Sequence, residues 1–316
     1  MSKSLLFITA SLLLLAFVSC NDQKPGKTFP DTPERGTISI SADESFRPVI
    51  EQQVSMYEAS FPGTHFNVSY KTEADCFRDF FRDTTNRMII VTRGLNREEE
   101  KYMTDSLYYN PAWNPVASDA IAVIVNAASS DTMFTLDRLK QQLLGKINRE
   151  QEMVFDGLNA TSTVRFIKDS ILKGGEFDTS VVKAARSSKE VIDYVAGNPN
   201  AIGLLGISWI GNPEDSVQQQ YLQKVKIGYV QCDLCTDKPF VKPVQASVIS
   251  HRYPLVRGLF YILKENYRGL GTGFSSFLKF ERGQLDFQES LSWPGYGFQY
   301  QKCENQRKDA KKIKRL

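Results

Sequence analysis

The chain alternates short apolar runs with amphipathic segments over most of its length, and this alternation constrains the fold more than any other feature. Residues 88–91 and 120–125 are apolar runs of strand length, and residues 38–40 also predict a strand. Apolar side chains spaced three or four positions apart predict one buried helix face at Phe46, Ile50, Val54, Tyr57 and Phe61. Buried strands that alternate with amphipathic helices are typical of an α/β protein whose mostly parallel sheet is covered on both faces.

A second series of the same kind follows residue 120 and indicates a second lobe. It contains a helix over 136–144, a strand at 153–155, a helix after Thr163 and a strand over 201–207. A helix over 187–196 begins with Ser187 and Glu190 in the spacing of a capping box. Segment 225–230 and a long helical region from Tyr253 onward complete the predicted body.

The first residues form a separate segment of the chain. Lys3 precedes an apolar stretch over 5–18, which predicts a secretory signal peptide of residues 1–19. The following cysteine and polar run resemble a bacterial lipoprotein signal, in which Cys20 is lipidated after cleavage. Residues 20–35 are then a lipid-anchored linker, because they carry too little apolar surface to fold. The alternative is an ordinary signal peptide followed by a chance cysteine.

The charge distribution argues against a nucleic-acid-binding body. The formal net charge is +3, but segment 302–316 holds seven Lys or Arg against Glu304 and Asp309. That tail carries a net +5, so the rest of the chain comes to −2. Basicity confined to a tail favours a solvated end, with contact to anionic lipid as a lesser option.

The cysteines and histidines restrict the possible chemistry. Cys232 and Cys235 could form a disulfide, remain idle thiols, act as a redox pair or hold half a metal site. His65 and His251 have no ligand-type partners near them in the sequence, so we expect no metal and no cofactor. No catalytic nucleophile and base can be assembled from the sequence, and we expect a protein that is not an enzyme.

Three stretches resemble the phosphate-binding proteins that feed bacterial ABC importers. They are DAIAVIVNAASSDTMFTLDRLKQQLLGKI (119–147), VAGNPNAIGLLGISWI (195–210) and YPLVRGLFYILKENYRGLGTGFSSFL (253–278). The resemblance implies a two-lobed periplasmic binding protein (type II) fold, with two doubly wound mixed sheets joined by two hinge crossovers. Lobe 1 would combine residues 36–113 and 222–316, and lobe 2 would hold residues 114–221.

The resemblance also implies an oxyanion site between the lobes, where helix N-termini present N–H groups. Ser45 and Phe46 fall on the first family loop, although Asp43 and Glu44 replace its preceding hydroxyl residues. On the second loop, Thr72 is the nearest candidate for a hydroxyl donor. The last loop contributes Thr161, Ser162 and Thr163.

The two charged family ligands have both changed. Arg87 stands where the family has an aspartate, and Gly157 where it has an arginine. Arg87 or Arg93 could supply the missing cation, because arginine forms paired hydrogen bonds with oxyanions.

Two functional interpretations follow. The first is a monomeric, lipid-anchored extracytoplasmic receptor that binds phosphate or a similar oxyanion and delivers it to the membrane subunits of an ABC importer. The alternative is a degenerate binding-protein fold that serves as a structural or protein-interaction lipoprotein without binding phosphate.

Overall fold

The computed structural model describes residues 29–157, 161–280 and 283–284, and the backbone of 293–294. The predicted signal peptide, Cys20, most of the linker and the basic tail lie outside these residues. Among the described helices, none combines the length and apolarity that crossing a bilayer requires.

The folded body begins before the predicted end of the linker. Asp31 is 6% exposed, and its carboxylate accepts hydrogen bonds from Arg87 and from the N–H of Leu270. The predicted linker boundary at residue 35 is therefore too late.

The first part of the chain forms parallel strands with helices between them. The strands are β1 (Arg35–Asp43), β2 (Gly63–Lys71) and β3 (Asn86–Val91), and β1 pairs with both others. The helices are α1 (Arg47–Ser60), α2 (Glu73–Arg82) and α3 (Arg97–Lys101). The predicted apolar stripe accounts for α1, which buries Ile50, Val54 and Tyr57, and proline in its first turn suits a helix start.

Strand β4 (Ala112–Asn126) then leads into the second part of the chain. The strands there are β5 (Met133–Phe134), β6 (Glu152–Phe155), β7 (Val182–Ala184), β8 (Ala201–Gly206), β9 (Val225–Ile227), β10 (Tyr229–Gln231) and β11 (Phe240–Val241). The helices are α4 (Leu136–Leu143), α5 (Ser162–Ser170), α6 (Ser188–Gly197), α7 (Ser216–Lys224) and α8 (Gln245–Ile249).

The chain returns through β12 (Val256–Leu263) and α9 (Leu270–Lys279), and β13 (Trp293–Pro294) pairs with β4. The strand β12 replaces the first part of the helical region predicted from Tyr253 onward. It is hydrogen-bonded on both sides, to β3 and to β4. Its position between two strands explains why an apolar segment that resembles a helix is extended here.

The main sheet runs in the order β2-β1-β3-β12-β4-β8-β6-β7, and β9 and β13 also pair with β4. Strands β5, β10 and β11 form a second, small sheet. Strands β4 and β12 are antiparallel, and Ala112 pairs with Leu263 at one end while Ala120 pairs with Val256 at the other. The predicted α/β fold of mixed strands and helices is confirmed, but the sheets of the two parts share β4.

Separate hydrophobic cores define two lobes. We call lobe 1 the described residues 31–118 and 257–280, and lobe 2 the described residues 119–256. In β4, Val116 and Ala117 pack into the lobe 1 core, whereas residues 120–125 pack into the lobe 2 core. The lobe 2 core also contains Val225, Val230, Val248, Tyr253 and Leu255. The boundary predicted at residue 222 is therefore wrong, because the chain returns to lobe 1 only in β12.

Candidate ligand-binding cleft

Arg257 and Asp119 face each other where the two crossing strands pass between the lobes. They are register partners on β12 and β4, and Nε of Arg257 donates to Oδ2 of Asp119 over 2.9 Å. Their exposed fractions are 4% and 0%. Because residues directly opposite in an antiparallel pair share a face, the strand register holds this buried ion pair in place.

Hydroxyl groups from both lobes converge on the other N–H groups of Arg257. Nη2 donates to Oγ of Ser45 over 3.0 Å, and Nη1 donates to Ser162 and Thr163 over 2.9 and 3.3 Å. Ser45 lies in the turn after β1, while Ser162 and Thr163 begin α5. The hydroxyl oxygens of Ser45 and Ser162 are 3.3 Å apart, so no ligand atom fits between them.

The hydroxyl proton of Ser45 is directed at a carboxylate. Its Oγ donates to Oδ1 of Asp43 over 2.7 Å, and its backbone N–H donates to the same oxygen over 2.9 Å. The oxygen of Ser45 thus accepts from Arg257 while its proton goes to Asp43. This hydroxyl is therefore not available as a donor to an external anion.

Buried carboxylates dominate the charge of the cleft. Asp43, Asp119 and Asp156 are 1%, 0% and 7% exposed, and each keeps one side-chain oxygen without a hydrogen-bond partner among the residues that the structure describes. Burial raises the pKa of Asp43 and Asp119, although the charge of Arg257 opposes the shift. Burial, with the charges of Asp43 and Glu44, raises the pKa of Asp156 to about 7.

The N-terminus of α6 already holds an anionic group of the protein itself. The carboxylate of Glu44 in lobe 1 accepts from Oγ of Ser188 over 2.8 Å and from its N–H over 3.3 Å. A helix N-terminus favours a negative charge because its first N–H groups lack partners within the helix. Glu44 thus fills a position that a bound anion would otherwise take.

A second ion pair joins the lobes at the start of α2. Nε of Arg165 in α5 donates to Glu73 over 2.6 Å, and its Nη2 donates to Thr92 over 2.6 Å. The N–H of Thr92 donates to Glu73 over 3.0 Å. Burial opposes ionisation of Glu73, but the hydrogen bonds and charge of Arg165 and the bonds from Thr92 hold its pKa below the usual value.

Beside these contacts lies an interlobe cavity of about 300 Å³. Its lining residues are Asp43, Glu44, Tyr70, Lys71, Thr72, Asp75, Asp156, Thr161 and Arg186. Within the described part of the chain, no three His, Cys, Asp or Glu side chains are grouped to hold a metal ion.

The structure brings most of the predicted hydroxyl residues to the cleft. Ser45, Ser162 and Thr163 surround Arg257, and the ring of Phe46 lies 4.8 Å from the centre of its guanidinium group. Thr161 and Thr72 are the caps of α5 and α2, where their hydroxyls accept N–H groups, and both line the cavity.

The predicted cations lie elsewhere. Arg87 is the second residue of β3, where it pairs with Asp31 and Glu265. Its predicted place in the cleft is wrong, because the cleft lies at the other end of that strand, where Thr92 donates to Glu73. Arg93 is paired with Glu99 through two hydrogen bonds.

Gly157, at the family's arginine position, has a φ of 146°. This backbone conformation favours glycine, so an arginine would be strained there. The cation of the cleft comes instead from a different part of the chain.

Sequence reasoning missed Arg257 and Asp119. Buried side chains recur at every second position in Tyr253, Leu255, Arg257, Leu259 and Tyr261. The residues between them include Val256 and Phe260, so the sequence itself shows no alternation of apolar and polar residues that would indicate a strand with an arginine on its inward face.

Cys232 and Cys235 are joined by a disulfide, and Cys76 is a buried free thiol. The bond closes a loop between β10 and β11 in lobe 2. The pair is therefore not available as half of a metal site in this structure.

Comparison with known proteins places this geometry in a family. The profile of the PBP superfamily domain matches residues 27–280. A Clostridium perfringens protein described as a phosphate ABC transporter substrate-binding protein, solved with bound phosphate, has a TM-score of 0.65 and 19% identity over 82% of this chain and 100% of its own. An ABC-type phosphate transport receptor from Vibrio cholerae has a TM-score of 0.58 and 17% identity, again over 82% of this chain and 100% of its own.

A possible phosphate binding protein from Planctomyces limnophilus covers 87% of this chain and 99% of its own, with 17% identity and a TM-score of 0.54. No curated protein sequence matches the chain. At these identities the solved structures establish the fold and not the ligand.

The two cores, the crossing strands and the cleft between the lobes define a two-lobed binding protein of the periplasmic type. The chain belongs to the PBP superfamily domain family, whose profile covers most of its length. The resemblance drawn from the sequence is thereby confirmed at the level of the family.

Proposed function

We propose that the chain is a lipid-anchored extracytoplasmic substrate-binding protein that closes its two lobes on a small solute other than phosphate. Cys20 would carry the lipid, and the membrane subunits of an ABC importer would receive the solute. Family membership supports the closing motion, because opposed lobes that share hinge strands can enclose a ligand.

The direction of the hydrogen bonds at Ser45 carries the argument against phosphate. A phosphate dianion needs N–H and O–H donors, but the proton of Ser45 goes to Asp43 and each nitrogen of Arg257 already donates within the protein. Binding phosphate would require these internal bonds to break, and each hydrogen bond to a charged group is worth roughly 1.5 to 3 kcal/mol.

The carboxylates of the cleft add repulsion. Asp43, Glu44 and Asp156 line the same cavity, and in its ionised form each repels an anion, by about 4 kcal/mol for two unit charges 4 Å apart at an effective dielectric constant near 20. A dianion in this cavity meets that repulsion from several directions, whereas the cations of the lining have carboxylate partners of their own.

Calorimetric and thermal titration with inorganic phosphate tests the proposal. We expect neither heat nor a shift in melting temperature at about 1 mM phosphate, whereas a micromolar site would stabilise the fold by about 4 kcal/mol. The Clostridium perfringens protein, whose structure contains phosphate, is the positive control. Micromolar binding of phosphate by this chain would contradict the proposal and support the phosphate receptor that the resemblance implies.

A second candidate is a structural or protein-interaction lipoprotein, and the interlobe bonds of Glu44 and Glu73 favour it. These carboxylates join the lobes directly, through hydrogen bonds to Ser188 and Arg165. Hydrogen exchange of the amides at the start of α5 separates the two functions. Solute-dependent protection there supports a receptor, whereas full protection without any solute supports a permanently closed scaffold.

The lipid anchor has its own test. A Cys20→Ser variant, expressed in a bacterium that processes lipoproteins, should move from the membrane fraction to the soluble fraction. Cys303→Ser, which removes a cysteine outside the signal region, should stay with the membrane. Equal membrane association of both variants would contradict lipidation at Cys20.

A further inference from the structure

The turn after β1, residues 43–46 of lobe 1, is hydrogen-bonded to lobe 2 through its backbone. Oγ of Ser208 donates to the carbonyl oxygen of Ser45 over 2.9 Å, and Nε1 of Trp209 donates to the carbonyl oxygen of Glu44 over 3.3 Å. Ser45 and Ser208 are 0% and 1% exposed, so the bond between them is shielded from water. These bonds hold the turn of one lobe against the surface of the other.

The side chain of Glu44 extends this contact to the start of α6. Its carboxylate accepts hydrogen bonds from the hydroxyl and the N–H of Ser188, over 2.8 and 3.3 Å. Ser188 is 0% exposed, and α6 has ten residues. A hydroxyl, a backbone N–H and the positive end of a helix are donors that suit a carboxylate ligand. Here the carboxylate that they bind belongs to the chain itself.

We propose that Glu44 is an internal ligand of lobe 2, and that its carboxylate holds the cleft closed in the way that the anionic group of a solute would. This inference goes beyond the proposed function, because it concerns what holds the lobes together and not which solute enters. A group that is linked to its binding site has a high effective concentration there. An anionic solute therefore has to displace Glu44 from Ser188 before it can bind at the start of α6.

The other bonds that cross the cleft act at a different helix. Arg165, which pairs with Glu73, belongs to α5, and Arg257 reaches Ser162 at the start of the same helix. Glu44 instead binds the first residue of α6. Removing its carboxylate should therefore loosen the α6 side of the cleft first, and the start of α5 should change less.

The experiment uses the full mature chain at neutral pH and compares substitutions at both partners of the contact. Glu44→Ala removes the carboxylate, Glu44→Gln keeps its shape without the charge, and Ser188→Ala removes the hydroxyl donor from lobe 2. Glu51→Ala is the matched control, since Glu51 is an exposed glutamate of α1 that pairs with Arg47. Hydrogen exchange of the Ser188 amide reports the local contact, and small-angle X-ray scattering reports the separation of the lobes through the radius of gyration.

We expect the Ser188 amide to exchange at least about tenfold faster in Glu44→Ala, which corresponds to the loss of one hydrogen bond to a charged group. The radius of gyration of this variant should increase. Glu44→Gln and Ser188→Ala should change both quantities in the same direction but less, and they keep the test valid if Glu44→Ala does not fold. Glu51→Ala should behave like the wild type in both measurements.

A small carboxylate supplied in solution should replace the missing side chain. We expect sodium acetate or sodium propionate to restore slow exchange and the smaller radius of gyration in Glu44→Ala, whereas sodium chloride at the same ionic strength should not. The inference would be overturned by wild-type exchange and radius in the Glu44 and Ser188 variants, by an equal effect of Glu51→Ala, or by no recovery specific to carboxylates. Phosphate binding by the wild type would contradict the proposed function instead, so the two failures are distinguishable.

Discussion

The Nε–H group of Arg257 donates to Asp119 across the two strands that connect the lobes, so the buried cation of the cleft is fixed by the hinge itself. Its outer nitrogens then reach Ser45 in lobe 1 and Ser162 in lobe 2. Opening the lobes must break at least one of these bonds. The same guanidinium group thus couples hinge geometry to the closed cleft.

Replacing Arg257 with methionine should lower the free energy of unfolding by about 3 to 5 kcal/mol, because it leaves Asp119 buried without its partner. Urea denaturation measures the change. Arg47→Met, which removes an exposed ion pair with Glu51, is the matched control and should cost less than about 1 kcal/mol. Combining Arg257→Met with Asp119→Asn should recover part of the loss. Equal effects of the two arginine substitutions would contradict the role of the buried pair.

We expect substitution of Gly206 by a larger residue to destabilise the protein. A methyl group there would lie 2.8 Å from the carbonyl oxygen of Ser45 and 2.9 Å from Nη2 of Arg257. We expect Gly206→Ala to destabilise the protein by roughly 1 to 3 kcal/mol through overpacking. At Gly197 no atom of another described part of the chain lies within 4 Å of an added methyl group, so Gly197→Ala should be neutral or stabilising by up to about 1 kcal/mol. Denaturation curves that rank the two variants in the opposite order would rule out this close approach.

Asp156 should make the protein less stable as pH rises. Its pKa is about 7 in the folded state against 3.8 for an unperturbed carboxyl, so between these values the folded state binds more protons than the unfolded state. Stability therefore falls from about pH 4 to pH 7 and then levels. Asp156→Asn removes this loss of stability. We expect it to raise the free energy of unfolding by at most roughly 4 kcal/mol at pH 8 and by little at pH 4. Melting temperatures of both proteins at the two pH values provide the test.

Glu73 should have the opposite pH dependence. Its pKa is lowered, so its contribution is present above the ordinary pKa of 4.5 and is lost as pH falls through the folded value. Glu73→Gln should lower the free energy of unfolding by about 1.5 to 3 kcal/mol at pH 7, and this difference from the wild type should become smaller in acid. Glu51→Gln, at an exposed ion pair, is the control. A penalty for Glu73→Gln that stays constant down to strong acid would exclude an ionic contribution.

Sequence patterns over a few residues correctly predicted secondary-structure elements that depend on those same residues. The apolar stripe from Phe46 to Phe61 located α1, whose flanking residues are those two phenylalanines. Ser187 is predicted as a helix cap, and its hydroxyl accepts a hydrogen bond from the N–H of Glu190. The capping box at Ser187 is incomplete, since the carboxylate of Glu190 binds Arg186 instead.

The centre of the cleft could not be predicted in this way. The partners of Arg257 lie 95, 138 and 212 positions away in the chain, at Ser162, Asp119 and Ser45. No local periodicity in the sequence indicates these contacts, because they depend on the order of the strands in the sheet. Arg87 illustrates the same limit, because the sequence does not show which end of β3 faces the cleft.

The position of β12 in the main sheet has a consequence for the order in which the chain can fold during synthesis. Lobe 2 is built from one continuous segment, but the sheet of lobe 1 has a gap between β3 and β4 until residues 256–263 emerge. A nascent chain that stops before Val256 therefore lacks both the strand that closes this gap and the arginine that Asp119 requires. Lobe 2 can therefore fold first, whereas the sheet of lobe 1 is completed only after β12 has been synthesised.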